Sequence, residues 1–189
     1  MGMNMRLKTE NTKIKAKGPH IAEVIGNYKL SSDIYRLVFK NGIIAETAKP
    51  GQFVSVLCED LVLRRPFSIA KTDGETVEII YKIKGKGTKY LSMLKIGDTV
   101  DVIGALGKGF NIENKNSLLI GCGVGYAPIN FLSAVMAKLG IKHTVLGCFQ
   151  TNLCQSGARQ SIEITDKIFW IASSQAPRND NATPIIITE

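Results

Sequence analysis

A change of periodicity near residue 110 constrains this chain more than any other feature. From His20 to Gly109 the text consists of short runs in which apolar and polar residues alternate: "HIAEVIGNYKL", "IYRLVFK", "QFVSVLCED", "PFSIAKT", "TVEIIYKIK" and "TVDVIGAL". A period of two suits a strand with one face in a core, and several such strands divided by turn signals imply a small antiparallel barrel. "KPGQF" at 49–53 is a Pro-Gly turn feeding one of them. Between the fifth and sixth runs, "GKGTKYLSMLKIGD" predicts one short helix, capped by Thr88, with Leu91 and Leu94 facing inward and Gly97 closing it.

After Gly109 the pattern becomes strand, glycine loop, helix, strand: "NSLLIGCGVGYAPINFLSAVMAKLGIKHTVLGCF". That order is a βαβ unit, with Ile129, Leu132, Val135, Met136 and Leu139 at helical spacing and Gly140 ending the helix. One such unit cannot bury both faces of a parallel sheet, so the domain it opens is expected to be incomplete. The remaining text holds short apolar scraps, "IEI" and "IFWIA", broken by polar and Pro-containing stretches. The expected organisation is a disordered basic tail over 1–19, a β-barrel domain over 20–111, the start of an α/β (Rossmann-like) nucleotide-binding domain over 112–147, and an atypical tail over 148–189.

Composition narrows the function classes. With 44% hydrophobic and 21% charged residues, the chain should form a real core. No run approaches the roughly 18 apolar residues of a membrane helix, and the polar opening "MGMNMRLKTENTKIKAKG" lacks the apolar centre of a signal peptide. A cytoplasmic protein with no membrane partner is expected. The net charge of +8 comes from scattered lysines without a recognition motif, so no nucleic-acid partner is expected either; the basicity suits an anionic dinucleotide or an acidic partner subunit. Cys58, Cys122, Cys148 and Cys154 are irregularly spaced, with no C-x-x-C pair, which suggests neither a zinc site nor a disulfide framework.

The strongest chemical signal is "LRRPFSIA", followed about twenty residues later by "IYKIKGKGTKYL". This pairing resembles the flavin domain of the ferredoxin reductase superfamily, whose R-x-Y-S motif is answered by Arg65, Pro66, Phe67 and Ser68. A fixed guanidinium suits a pyrophosphate, an aromatic packs near a flavin ring, and a hydroxyl reaches a polar ring atom. Phe67 replaces the usual tyrosine, keeping the stacking surface and removing one hydrogen bond. Gly85, Gly87 and Thr88 let backbone N–H groups approach the pyrophosphate at the start of the short helix. The resemblance implies that Tyr81, Lys82 and Ile83 also line the flavin. Taken singly, Arg64 and Arg65 read equally as a solvated pair, and "GKGT" as a plain loop before a capped helix.

"GCGVGYAP" resembles the G-G-G-V-G-x-A-P element that opens the nicotinamide-nucleotide domain of the same superfamily. Gly121, Gly123 and Gly125 allow a tight turn and close approach of an NAD pyrophosphate, and Pro128 suits a first helical turn. Cys122 stands where the superfamily usually has glycine.

Over residues 20–147, "PGQFVSV", "RRPFSIA", "YKIKGKGTKYLSMLKIGDTVDVIGALGKGF" and "LIGCGVGYAP" run in the order found in the electron transfer subunits of bacterial NAD-dependent dihydroorotate dehydrogenases. Related chains of sulfide dehydrogenases and glutamate synthases share most of these elements. The resemblance implies an FAD oxidoreductase subunit that uses NAD(H) as substrate. Through a [2Fe-2S] centre it would serve an FMN-containing catalytic subunit, within a heterotetramer of pyrimidine biosynthesis. It names no general acid or base. The family's C-G-P element and its C-G-x-G-x-C-x-x-C cluster do not occur in this sequence, and Cys148 and Cys154 cannot replace the four thiolates such a cluster needs. The loss of motif after about residue 147 is the pattern of a truncated, frameshifted or recombined reading frame, with a divergent edge strand and tail as the other reading. Three functions follow: the dihydroorotate dehydrogenase electron transfer subunit, a flavin reductase or electron transfer subunit of another complex, and an inactive FAD-binding remnant.

Overall fold

The computed structural model describes residues 18–58, 61–113, 116–149 and 168–173. Six strands close into an antiparallel barrel: β1 (Pro19–Lys29), β2 (Ile34–Lys40), β3 (Phe53–Leu57), β4 (Arg65–Asp73), β5 (Thr76–Lys82) and β6 (Thr99–Leu106). Their order around the barrel is β1-β2-β5-β4-β3-β6, and β1 closes the ring by pairing with both β2 and β6. The period of two read from the sequence is the period of burial: Leu37 and Phe39 on β2, Val54 and Val56 on β3, and Val77, Ile79 and Tyr81 on β5 all point inward. In β4 the register slips between Ile69 and Lys71, and the consecutive residues Ile69 and Ala70 are both buried. A bulge of this kind bends the strand and re-aims the side chains before it, here Arg65 to Ser68.

Two short helices close the barrel ends. The first, α1 (Gly42–Thr47), departs from the expectation of a single helix. Asn41 caps it by accepting a hydrogen bond from Ile44 N at 2.9 Å, and Ile44 is fully buried in the barrel core. The second, α2 (Lys86–Leu91), begins three residues earlier than Thr88 would place it as a cap. Gly85 occupies the N-cap and Thr88 sits in the first turn, reaching back to the preceding backbone. Leu91 and Leu94 are buried as expected, and Gly97 ends the segment at φ +92°. Asn27 on β1 holds this helix in place, donating from Nδ2 to Leu91 O at 2.8 Å and Leu94 O at 2.9 Å.

The βαβ unit is present as read. β7 (Ser117–Cys122) leads through a single tight helical turn, Gly123–Gly125, into α3 (Tyr126–Lys138), which returns to β8 (His143–Phe149). β7 and β8 pair in parallel, and Leu119, Leu132, Met136, Ile141 and Val145 form a core of their own. Buried His143 is satisfied on both nitrogens, by Ile141 O and by the Ser133 hydroxyl, each at 2.8 Å, so it is a packing histidine. α3 also reaches the barrel, where Phe131 joins the barrel core and Asn130 Nδ2 donates to Ala70 O at 3.0 Å. Part of the text read as an atypical tail is a strand: β9 (Ile168–Ser173), the "IFWIA" scrap, pairs antiparallel with β8 at the sheet edge. The remainder of 150–189 and the basic tail up to residue 17 lie outside the described residues.

Candidate functional site

The two adjacent arginines do different work. Arg64 is committed to the fold: its Nη2 pairs with Asp101 Oδ2 at 2.6 Å, and its Nη1 donates to Asp101 O at 3.1 Å and Ser55 O at 3.5 Å. It thereby ties the entrance of β4 to β3 and β6. Arg65 donates from Nη1 only to Leu63 O at 3.1 Å and Arg64 O at 3.4 Å, two carbonyls of its own turn. Its guanidinium is held in place by local backbone, with Nε and Nη2 uncommitted among the described residues.

Cys58 joins Arg65 to the glycine turn. Its thiol is fully buried, and burial raises its pKa while the charge of Arg65 pulls it back down, which sets the guanidinium close by. Gly87 packs on the same thiol: a Cβ there would stand 3.0 Å from Leu61 Cδ1 and 3.1 Å from Cys58 Sγ. Only glycine brings this backbone so near to β3 and its following loop. Thr88 Oγ1 accepts from Lys84 N at 2.9 Å and Gly85 N at 3.2 Å, which fixes the turn. The N–H groups of Lys86 and Gly87 stand in the first turn of α2, where a helix offers no internal acceptor. Gly87 thus packs on the buried sulfur whose charge environment Arg65 also sets, although the two lie more than twenty residues apart in sequence.

The aromatic part lies beside them. Phe67 and Tyr81 pack edge-to-face with centroids 5.7 Å apart, and Tyr35 stacks on Tyr81 at 6.0 Å. Phe67 is half-buried, whereas Tyr81 is 2% exposed and sits among the barrel residues, so it supports Phe67 from below. Burial raises the Tyr81 pKa well above the ordinary phenol range; Tyr35 adds to the shift and Asn27 opposes it. Tyr81 Oη and Asn27 Oδ1 are both buried without a hydrogen-bond partner among the described residues. Ser68 is half-buried next to Phe67, and Pro66 is exposed on the outer face. Lys82 turns its ammonium to Asp33 at 3.0 Å, and Ile83 N donates to Asp33 O at 2.7 Å. Asp33 therefore pins this end of β5 and takes up the Lys82 charge. Nothing in the sequence pattern marks Asp33 or Asp101, while Cys58 continues the inward alternation of Val54 and Val56.

The second glycine turn lies against the same strands. α3 packs on β4, and the turn Gly123–Gly125 touches β5. Gly121 permits the close fit of strand and helix, since a Cβ would stand 2.8 Å from Tyr126 Cα. Gly123 takes φ +54°, and Gly125 opens α3 with free space where a Cβ would be. The two glycine turns and the "RPFS" strand are thus carried by neighbouring elements. Among the described residues no cluster of three or more His, Cys, Asp or Glu could hold a metal ion, and no helix is long and apolar enough to cross a membrane.

No protein-family model matches the chain. Curated relatives do. The dihydroorotate dehydrogenase B (NAD(+)) electron transfer subunit of Fusobacterium nucleatum is 38% identical over 129 residues, covering 64% of this chain and 50% of the relative. Its counterpart in Listeria monocytogenes is 37% identical over 137 residues, covering 68% of this chain and 54% of the relative. The chain is a relative of these electron transfer subunits. It spans about half of their length. Among solved structures, an NADH-dependent reduced ferredoxin-NADP oxidoreductase aligns at TM-score 0.66 with 30% identity, over 71% of this chain and 50% of that one. The ferredoxin-NADP+ reductase of Plasmodium falciparum aligns at TM-score 0.62 with 20% identity, over 72% of this chain and 61% of that one. The fold is that of the ferredoxin reductases, a flavin-type barrel followed by a partial α/β region.

Proposed function

We propose that this chain is the flavoprotein part of an electron transfer subunit, binding FAD on the barrel and exchanging electrons between NAD(H) and a dihydroorotate-oxidising partner subunit that carries FMN. The observation that carries the reading is that Gly87, in the glycine turn, packs on the Cys58 thiol that also feels the charge of Arg65, on the barrel that carries the half-buried ring of Phe67. These residues fit a flavin that bears a pyrophosphate. Arg65 has uncommitted donors for the anion, the Gly87 backbone is brought close by a packing that excludes a Cβ, and Phe67 offers an aromatic surface at the other end of the site.

When bound, the flavin would supply the hydride and single-electron chemistry. The protein's part is placement: Arg65 and the N–H groups of Lys86 and Gly87 hold the phosphates, Ser68 offers a hydroxyl to the ring system, and Tyr81, pinned under Phe67, keeps the ring surface rigid. Asp33 holds Lys82 and Ile83 as the border of the site. Gly121, Gly123 and Gly125 form the proposed seat for the NAD pyrophosphate, and the packing of their turn on β5 favours a nicotinamide on the flavin side. We read 20–111 as the FAD domain and 112–147 as the start of the nucleotide domain, with the boundary supported by Ile112, which packs with the second core.

A second reading, a flavin reductase or an electron transfer chain of another complex, is favoured by the 30% identity to an NADH-dependent ferredoxin-NADP oxidoreductase. Mixing the FAD-loaded chain with a purified FMN-containing dihydroorotate dehydrogenase subunit separates the two. Co-elution of the subunits supports the first reading. NADH-dependent dye reduction without co-elution would replace it with the second.

A further inference from the structure

The β4 bulge that re-aims Phe67 and Ser68 is also where the βαβ unit fastens to the barrel. Ile69 pairs with Ile79 and Lys71 with Glu78, so Ala70 is the extra residue. A bulge takes its extra residue out of the ladder, and a buried carbonyl there needs a partner from elsewhere. Ala70 O accepts from Asn130 Nδ2 at 3.0 Å, from α3 and 60 residues further along the chain. The neighbouring Ile69 N donates to Gln52 O at 3.1 Å, so the bulge is held from the barrel side as well. Phe131, next to Asn130, is 4% exposed and belongs to the barrel core. α3 therefore meets the barrel through an apolar plug with a directional bond beside it. Apolar burial resists separation of the two units without fixing how α3 turns or slides on the plug. A hydrogen bond weakens steeply with distance and angle, and so fixes that remaining freedom.

Both ends of this bond are close to the proposed cofactor seats. Asn130 lies one turn, about 6 Å, along α3 from Tyr126, where the glycine turn gives way to the helix. Ala70 lies roughly 7 Å along β4 beyond Ser68. We propose that Asn130 is a positioning residue for hydride exchange: by gripping the bulged carbonyl of Ala70 it sets the Gly123–Gly125 turn against the Phe67–Ser68 part of β4, and with it the stacking of a nicotinamide on a flavin. This rests on the reading that FAD and NAD(H) occupy those seats. The exchange served is one hydride, two electrons and a proton, passing from NADH to oxidised FAD. Asn130 touches neither ligand in this arrangement. Its loss leaves Phe131 as a pivot and each seat intact, and spoils only the alignment between them. A misplacement of about 1 Å costs on the order of 100-fold in rate.

The test compares the FAD-loaded full chain with three variants. Asn130→Asp keeps the size of the side chain and removes the donor, Asn130→Leu replaces the amide by an apolar group, and Asn130→Gln keeps the donor. Fluorescence titration gives the FAD affinity and calorimetric titration the NAD+ affinity. The long-wavelength charge-transfer absorbance formed with NAD(H) reports ring stacking, and anaerobic stopped-flow mixing with saturating NADH gives the rate of flavin reduction. Both affinities should stay within about threefold of the parent in all three variants, while Asn130→Asp and Asn130→Leu weaken the absorbance band and slow reduction by about 10- to 100-fold. Asn130→Gln should lie closer to the parent than either. Unchanged band and rate in the two donor-free variants would overturn the inference and leave the cofactor reading standing. Loss of FAD or NAD+ affinity in step with the rate would overturn it too, because Asn130 would then be holding one seat instead of aligning two. A parent chain that binds no FAD, or whose bound FAD is not reduced by NADH, would remove the cofactor reading itself and this inference with it.

Discussion

Replacing Arg64 and Arg65 by alanine, one at a time, should injure two different properties. Arg64 makes one short ion pair and one further good hydrogen bond, both to Asp101, and the two side chains are only 23% and 25% exposed. Among the described residues Asp101 Oδ1 is already buried without a partner, and Arg64→Ala would remove the side-chain partner of Oδ2 as well. Losing a charge-assisted bond and stranding its acceptor costs about 2 kcal/mol, which for a chain of this size lowers Tm by roughly 4 to 8 °C. Among the described residues Arg65 bonds to carbonyls of its own turn alone, and Arg65→Ala should shift Tm by less than about 2 °C, as expected where little fold-stabilising contact is lost. Its effect should fall on FAD. Removing a guanidinium–phosphate contact worth about 1.5 to 3 kcal/mol weakens Kd by roughly 10- to 150-fold. Thermal unfolding of the apoproteins and fluorescence titration with FAD measure the two halves. Equal Tm losses in both variants, or an unchanged FAD affinity in Arg65→Ala, would refute the division of labour.

Three further outcomes follow from the same geometry. Gly121→Ala places a Cβ 2.8 Å from Tyr126 Cα, a backbone atom that cannot step aside, and should cost about 1 to 3 kcal/mol; an unchanged urea midpoint would contradict the packing described. Tyr81 has a raised pKa in the folded chain, so the unfolded chain releases that proton first; its contribution to stability is complete below the unfolded value of about 10 and declines as pH rises above it. Urea midpoints between pH 9 and 11 should therefore fall more steeply for the parent than for Tyr81→Phe, and parallel slopes would count against the buried hydroxyl. Anaerobic iron and sulfide reconstitution should yield no [2Fe-2S] resonance, because Cys58 is sealed in the barrel and three cysteines remain for a cluster that takes four; a stoichiometric signal would overturn this.

Strands were legible because a closed barrel gives each strand one wet face, which writes a period of two into the text; β2 and β5 follow it residue by residue. The βαβ unit was legible for the complementary reason, a helical period next to a glycine turn. α1 was missed because its six residues carry too short a period to register, and its only signal was the capping Asn41. The start of α2 was misplaced because Thr88 has the chemistry of a cap but acts from inside the first turn. Adjacent Arg64 and Arg65 could not be told apart in the sequence, since what separates them is Asp101, thirty-odd residues away on β6. The roles of Asp33 and Cys58 are likewise set by tertiary neighbours that no local pattern announces. β9 was legible only as the second of two readings, a divergent edge strand, because next to β8 it needs neither strict alternation nor length.

The central claim is that the barrel presents a site for a flavin with a pyrophosphate. Parallel titration of the apoprotein with FAD and with FMN, followed by flavin fluorescence, tests it most directly. If Arg65 and the Gly85–Thr88 turn hold the second phosphate, as proposed, FAD should bind more tightly by the contact that Arg65 makes, about tenfold or more. Equal affinity for the two flavins would contradict the account.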